Sequence, residues 1–466
     1  MPFDPEYVSR VLRENFEDAK ALFLSPLIAI HYAHLIMLRE RGIVSEGDAR
    51  TLRNALDAIS IAELASAEYD HGCEDLFFHV ERDIIAVCGE DVAGRLRVAR
   101  SRNDIDMTMY RMRQREFIAS LAAAVLDLRS ALVDLAEKHR DTVFAALTHT
   151  QPAQPTTVAH YLLAIIEQLE RDYTRVRAAY ASTNRCPLGS CAITGTGFDI
   201  DRTVTSDLLG FDEPTGNTYG SIATVDYLLE SVAATQVMLV GLGRVIQDLL
   251  LWCTREFGYL RLGEGLVQGS SIMPQKRNPV ALEHARAITS KAFGEAIAIT
   301  AAVHNTPFGD IVDTEDDLQP LVASMFRDAL RAVALVTVSI RGAELDVTRM
   351  ESRAAEGGTT LTELADRLVR DQNMSFTMAH AIAAGLLSGV VPPTSLGYTD
   401  EEFMRILSAR NFVEVRRTPG GPAPSETAHA IEASRESLRR DSAWHDAARQ
   451  QIEDAETRRR VRAAAL

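Results

Sequence analysis

Hydrophobic positions recur at helical spacing along almost the whole chain, interrupted by short polar breaks. Through 6–60 the pattern is broken by turn signals at Ser25-Pro26 and at 42–45, where Ser45 followed by Asp48 makes a capping-box-like helix start. An amphipathic helix is predicted over 74–88, and longer ones over 107–139 and 158–181. Over 222–257 the apolar pattern is nearly all round, which predicts a helix buried on most sides. Helical runs resume at 280–303 and 321–343. A Gly357-Gly358-Thr359-Thr360 break then precedes shorter helices, a loop at 416–425 and a charged helical tail. Only 184–220, rich in Gly, Thr, Asp and Asn, predicts no regular element. The pattern therefore predicts an all-α chain in three segments, 1–103, 104–355 and 356–466, with the longest helices in the middle one. Helices so long and apolar need partners, and a bundle shared between subunits supplies them.

Composition narrows the function classes. A chain of 466 residues exceeds one compact unit. Its 49 basic and 65 acidic side chains give a formal charge of −16, which argues against a nucleic-acid or anionic-membrane surface. The five cysteines, Cys73, Cys88, Cys186, Cys191 and Cys253, follow no metal-site spacing and read as reduced thiols of a cytoplasmic protein. The N-terminal residues lack the apolar core of a signal peptide, and no apolar run reads as a membrane span.

Three polar stretches stand out at helix starts. Residues 262–284 combine Gly263, Gly265 and Gly269 with two serines, Lys276 and Asn278, and then a helix that Asn278 and Pro279 would cap and open. Backbone N–H groups at such a helix start favour an anion. Ser101-Arg102-Asn103-Asp104 precedes the 107–139 helix, and Thr148–Thr157 (THTQPAQPTT) separates two helical runs. Each has a plain alternative, an ordinary cap or helix-entry loop. Together they offer an Arg, a Lys, amide and hydroxyl donors, His149 and a serine in a Gly-rich loop. No metal cluster, dinucleotide fingerprint, phosphate loop or nucleophile elbow accompanies them, so no cofactor or metal is expected. Donors of this kind suit removal of a proton next to a carboxylate, where negative charge grows on both oxygens.

The stretch GSSIMPQKRNP, 269–279, resembles the signature of the aspartase/fumarase superfamily, and SRND and THTQPAQP resemble its other two active-site regions. SRND, CPLGSCAITGTGFDIDR and VEVRRTPGGPAPS are similar to the argininosuccinate lyase branch. The resemblance implies an all-α, three-domain subunit in a homotetramer with a shared multi-helix core. Each active site would take one loop from each of three subunits. It also implies cofactor-free anti β-elimination of an amine from an N-substituted aspartate, releasing fumarate through an aci-carboxylate intermediate. Carried onto this chain, Ser270 is the base and Ser271 its neighbour. Lys276 and Asn278 hold the carboxylate beside the departing proton. Ser101, Arg102 and Asn103 grip the dicarboxylate with help from Thr148, and Gln151 and Met273 complete the binding set. His149 orients substrate or protonates the leaving amine, with Glu283 as its acidic partner.

Residues that hold arginine in that branch depart here. The Tyr, Gln and Lys of the branch fall on Asp310, Glu315 and Leu318, and its Ser-Asp-Arg-Asp falls on Ala223-Thr224-Val225-Asp226. Gly-Ser becomes Ile30-His31, and Glu-Asp-Ile-His becomes Glu74-Asp75-Leu76-Phe77. Losing cations while gaining acids predicts an amine other than arginine, one with a second positive nitrogen, as in ethylenediamine-N,N'-disuccinate. Argininosuccinate is the alternative substrate, and an inactive, crystallin-like structural protein the alternative of another class. The plain reading of 309–319 is a solvated acidic turn.

Overall fold

The computed structural model describes residues 3–466. Helices dominate, and the described strands form only two-stranded ribbons. The first long helix, α1 (Arg13–Glu40), continues through Pro26 instead of turning at Ser25-Pro26. Proline removes one ladder hydrogen bond there. Burial of Phe23, Leu24, Leu27 and Ile28 on either side holds the helix together across that gap. Helix α2 (Glu46–Asp57) starts where the sequence predicts, with the Ser45 hydroxyl accepting the Asp48 N–H at 3.2 Å. Asp75 caps α3 (Leu76–Cys88) by accepting the Phe78 N–H at 3.0 Å.

The central element is α4 (Arg102–Lys138), whose 37 residues span about 55 Å at helical rise. It packs against α5 (Val158–Thr183) and, with α6 (Asp226–Trp252), α7 (Val280–Val303) and α8 (Leu318–Arg341), builds a long bundle. Helix α6 opens at Asp226, four residues later than the pattern suggests, because Thr218–Ala223 forms a separate short turn of helix. One core runs from α1 into the bundle, with Phe16, Ile30, Leu132, Ile166, Met238 and Phe326 at most 1% exposed. The helical run Pro5–Glu40 and α6 are long and apolar enough to cross a membrane. In both, however, the apolar stretch is mostly buried against neighbouring helices, as in a core helix. Val237 and Val240 on α6, Ile297 on α7 and Val338 on α8 remain exposed along the bundle.

Side chains of α4 also organise the loop-rich segment 184–220. Arg115 donates to Asn184 Oδ1 and the Gly210 and Leu209 carbonyls at 2.7–2.9 Å, and Arg111 donates to the Ser182 carbonyl at 3.0 Å. Within the segment Arg185–Cys186 pairs with Glu213–Pro214, and Arg202–Leu208 is helical. This structure was illegible in the sequence because it is held from outside.

Beyond the bundle, α9 (Leu361–Gln372) and α10 (Phe376–Leu387) share a small separate core of Leu364, Leu368, Ala379 and Ile406. The charged tail is not a free tail. Residues Pro424–Ala464 form α11, 41 residues long, lying along α4 and α5. Trp444 meets Tyr173 and Tyr180 edge-on, and the fully buried Arg129 of α4 reaches Asp441 at 2.5 Å.

Candidate active site

The loop at 262–284 is a small ribbon. Gln268–Gly269 pairs antiparallel with Arg277–Asn278, leaving 270–276 as its tip. Asn278 therefore does not cap the following helix. Its backbone belongs to the ladder opposite Gln268, and Pro279 occupies the cap position before α7 without a side-chain hydrogen bond. At the tip the Ser270 hydroxyl accepts the N–H groups of Ile272 and Met273 at 3.3 and 3.1 Å. Two donors on one hydroxyl oxygen are what an alkoxide needs if serine is to act as a base. Ser271, Gln275 and Lys276 are exposed, and Ile272 is 84% exposed, so the tip projects into solvent in a single chain. Lys276, Asn278 and Glu283 line one cavity of about 770 Å³, together with Arg255 and Arg286. Gly263, Gly265 and Gly269 could each accept a Cβ without contact, so this conformation does not itself require them.

The stretch 148–157 is a β-hairpin, not a simple break between helices. Val143–Thr148 (β1) pairs with Gln151–Thr157 (β2), and Thr148 faces Gln151 directly. The turn is thus His149-Thr150, both left-handed with φ of 50° and 62°. Positive φ at both residues is the type I′ arrangement, which matches strand twist and is usually left to Gly, Asn or Asp. Strain of this kind collects at functional sites, where it fixes a side chain in place. Here it sets His149 at the tip, exposed.

At the head of α4, Asp104 is fully buried. Its carboxylate accepts the N–H groups of Ser101, Gly189 and Cys191 at 2.8–2.9 Å. Burial pushes its pKa up to about 6, against those three donors and Arg100. Asp104 thus cements the loop, while the Ser101 hydroxyl donates to Asn103 Oδ1 at 2.7 Å. Arg102 pairs with Asp75 at 2.6 Å and Glu74 at 3.3 Å.

The acidic stretch 310–317 comes to this same place. Asp316 accepts from Tyr110 at 3.1 Å and from Asn15 at 3.2 Å. Burial, then the charges of Asp316, Asp75 and Glu315, hold the Asp106 carboxyl well above the ordinary range. Glu315 is pushed up to about 8 by burial and by Asp310, with Arg102 opposing. The plain reading of a solvated turn therefore does not hold for the half-buried Glu315, whereas Asp316 remains exposed. Sequence reasoning missed Asp106 and Tyr110. Their spacing of four, which puts a carboxylate and a phenol on one face of α4, was the available signal.

Two departures from the argininosuccinate lyase pattern are neighbours. His31 and Phe77 lie with ring centroids 6.0 Å apart, and Arg100 reaches His31 Nδ1 at 2.8 Å. Burial, then Arg100, keeps His31 neutral. Asp70, Cys73 and His79 bring possible metal-ligand atoms within 4.8 Å of one another. The Arg82 guanidinium already contacts both Asp70 and His79, at 2.8 and 3.0 Å, and supplies positive charge there.

Among the described residues, no hydrogen bond or ion pair joins the 101–104, 148–154 and 269–278 loops. None links His149 to Glu283.

Residues 40–294 match a family model described as Lyase. The chain is 40% identical over 457 residues to argininosuccinate lyase 2 of Agrobacterium fabrum, covering 93% of this chain and 91% of the relative. It is 36% identical to argininosuccinate lyase of Methanoculleus marisnigri, over 90% of this chain and 88% of the relative. A solved EDDS lyase variant with bound fumarate superposes with a TM-score of 0.87 at 29% identity, covering all of this chain and 96% of that one. The chain belongs to this lyase family, in the argininosuccinate lyase branch of the aspartase/fumarase superfamily. It is a carbon–nitrogen lyase of the fumarate-releasing kind.

The Glu315 pKa gives a pH-dependent expectation. An acid whose folded pKa exceeds its unfolded value keeps its proton longer in the native state, so stability falls as pH rises from about 4.5 to about 8. Glu315→Gln removes that loss. The variant should match the parent in thermal unfolding at pH 4 and exceed it by about 1 kcal/mol at pH 9. Equal stability differences at both pH values would contradict the Glu315 environment described here.

Proposed function

We propose that the amine released together with fumarate carries a second positive nitrogen, with an aminocarboxylate such as ethylenediamine-N,N'-disuccinate as the preferred substrate type. The observation that carries this reading is the convergence of Asp75, Asp106, Glu315 and Asp316 beside Arg102. Asp75, Asp106 and Glu315 are half-buried, so crowding their negative charges is unfavourable, and an ammonium group relieves that cost. Where the branch places a lysine this chain has Leu318, 3% exposed, which offers no cation to the α-carboxylate of arginine.

In this reading Ser270, as its alkoxide, takes the proton from the carbon next to the substrate carboxylate. Lys276 and Asn278 stabilise the doubly charged aci-carboxylate, and the C–N bond then breaks on the opposite face to give fumarate. Ser101, Arg102, Asn103 and Thr148 hold the dicarboxylate, with Ser271, Gln151 and Met273 around it. Arg102 would exchange Asp75 for substrate. His149, kept basic by Glu283, delivers a proton to the departing amine. Because the loops are separate in one chain, each site draws on three copies in a homotetramer, and the exposed valines of α6 and α8 support such a shared bundle. The division into 1–103, 104–355 and 356–466 belongs to the same proposal.

A second reading, argininosuccinate as substrate, is favoured by the 40% identity to argininosuccinate lyase 2. Fumarate absorbance separates the two. Purified protein is given ethylenediamine-N,N'-disuccinate, argininosuccinate, and fumarate with a panel of amines including ethylenediamine, whose nitrogens suit the acidic cluster without distal carboxylates. Fumarate release from the disuccinate, or fumarate consumption with diamines, is expected. Rapid arginine release from argininosuccinate would sink the proposal, and inertness toward every compound would point to a structural role.

A further inference from the structure

A second cavity, of about 690 Å³, lies away from the three loops, between α1, α2, α4 and α11. Its volume falls in the range of small-molecule sites. The apolar wall comes from Ile28 of α1, Met112 of α4, Ile452 of α11, and Leu209 just after the Arg202–Leu208 helix. Four guanidinium groups and the carboxylates of Asp57, Glu116 and Glu456 also line it, and the guanidiniums are not equivalent. Arg53 pairs with Asp57 at 3.6 Å, and Arg460 pairs with Glu456. Arg115 and Arg459 have no carboxylate partner among the described residues.

These two are tied to one turn. Arg115, 2% exposed, donates to the carbonyls of Leu209 and Gly210, and its Nε is buried without a partner. Half-buried Arg459 donates to the Leu208 carbonyl at 2.9 Å. Carbonyl dipoles and the face of Phe211, 3.9 Å from Arg115, soften the charge but do not neutralise it. Burial lowers the pKa of both; at Arg459 the Glu456 charge opposes the shift, while the Arg460 and Arg115 charges add to it. Buried charge is ordinarily paired, and a guanidinium is the group best shaped to receive a carboxylate.

We propose that this cavity is a binding site for a small organic carboxylate with an apolar body. The anionic head is held at Arg459 and Arg115, and the body lies on Ile28, Met112, Leu209 and Ile452. The site is separate from the lyase chemistry and does not rest on any reading of the amine.

The test uses the full chain and three six-carbon probes, hexanoate, hexanol and hexylamine, followed by isothermal titration and thermal shift. Hexanoate is expected to saturate one site per chain and raise the melting temperature, while the alcohol and amine do neither. Arg459→Met should weaken hexanoate at least tenfold. Ala464→Trp, at an exposed position on the cavity rim, fills the space and should abolish binding without disturbing the α11 contacts. Lys276→Met should leave hexanoate binding unchanged. No hexanoate binding, equal binding of hexanol, unchanged binding in both the Arg459 and Ala464 variants, or loss in Lys276→Met would each overturn the proposal.

Discussion

Ser270→Ala is expected to lower turnover roughly 10²- to 10⁴-fold, the scale set by loss of a positioned general base. Substrate binding should survive, because the residues proposed to hold the dicarboxylate are elsewhere. The physical basis is local. The Ser270 oxygen is cradled by two backbone N–H groups at a ribbon tip, and alanine leaves those groups open to water, at small cost to folding. Circular dichroism, oligomeric size and melting temperature should therefore match the parent while fumarate formation vanishes. Retention of most activity would remove Ser270 from the role of base. Loss of the assembly would instead make it a structural residue.

The second large effect falls far from the chemistry. Asp441→Ala should destabilise the protein by about 3 kcal/mol, because it leaves the fully buried guanidinium of Arg129 short of charge. Glu170 at 3.3 Å and the Ser437 hydroxyl at 3.0 Å remain as partial compensation, which keeps the loss toward the lower end of the range for broken buried pairs. Arg129→Met removes the fully buried charge and leaves Asp441 and Glu170, which keep some access to water, so it should cost less than Asp441→Ala. Denaturant unfolding of the two variants reads the order directly. The reverse order would mean that Arg129 contributes chiefly through packing on Tyr173.

Helices were largely legible because their signal is local. The Ser45 start and the 158–181 run survive with small shifts. Errors arose where a residue's usual habit was overruled by a partner distant in sequence. Pro26 sits inside a helix because its neighbours are buried, and Asn278 joins a ribbon with Gln268 instead of capping. The hairpin at 143–157 hid behind Pro152 and Pro155, which read as breaks but are admissible in a two-stranded ribbon that is all edge. For the site, composition and spacing marked out the 262–284 stretch, and the roles of Ser270, Lys276 and Asn278 come from the family resemblance. The meeting of Asp106, Glu315 and Asp316 depends on α4 approaching the head of α8, which no local pattern records.

The His149-Thr150 turn also bears on which changes in chain length the protein can absorb. With Thr148 paired directly to Gln151, the connection has no slack. One added residue would impose another turn class, and one removed would shift a strand and reverse the face on which each side chain points. Most surface loops accept insertions at little thermodynamic cost. This one is a fixed-length ruler for the imidazole, so insertions and deletions are excluded here even where single substitutions are tolerated.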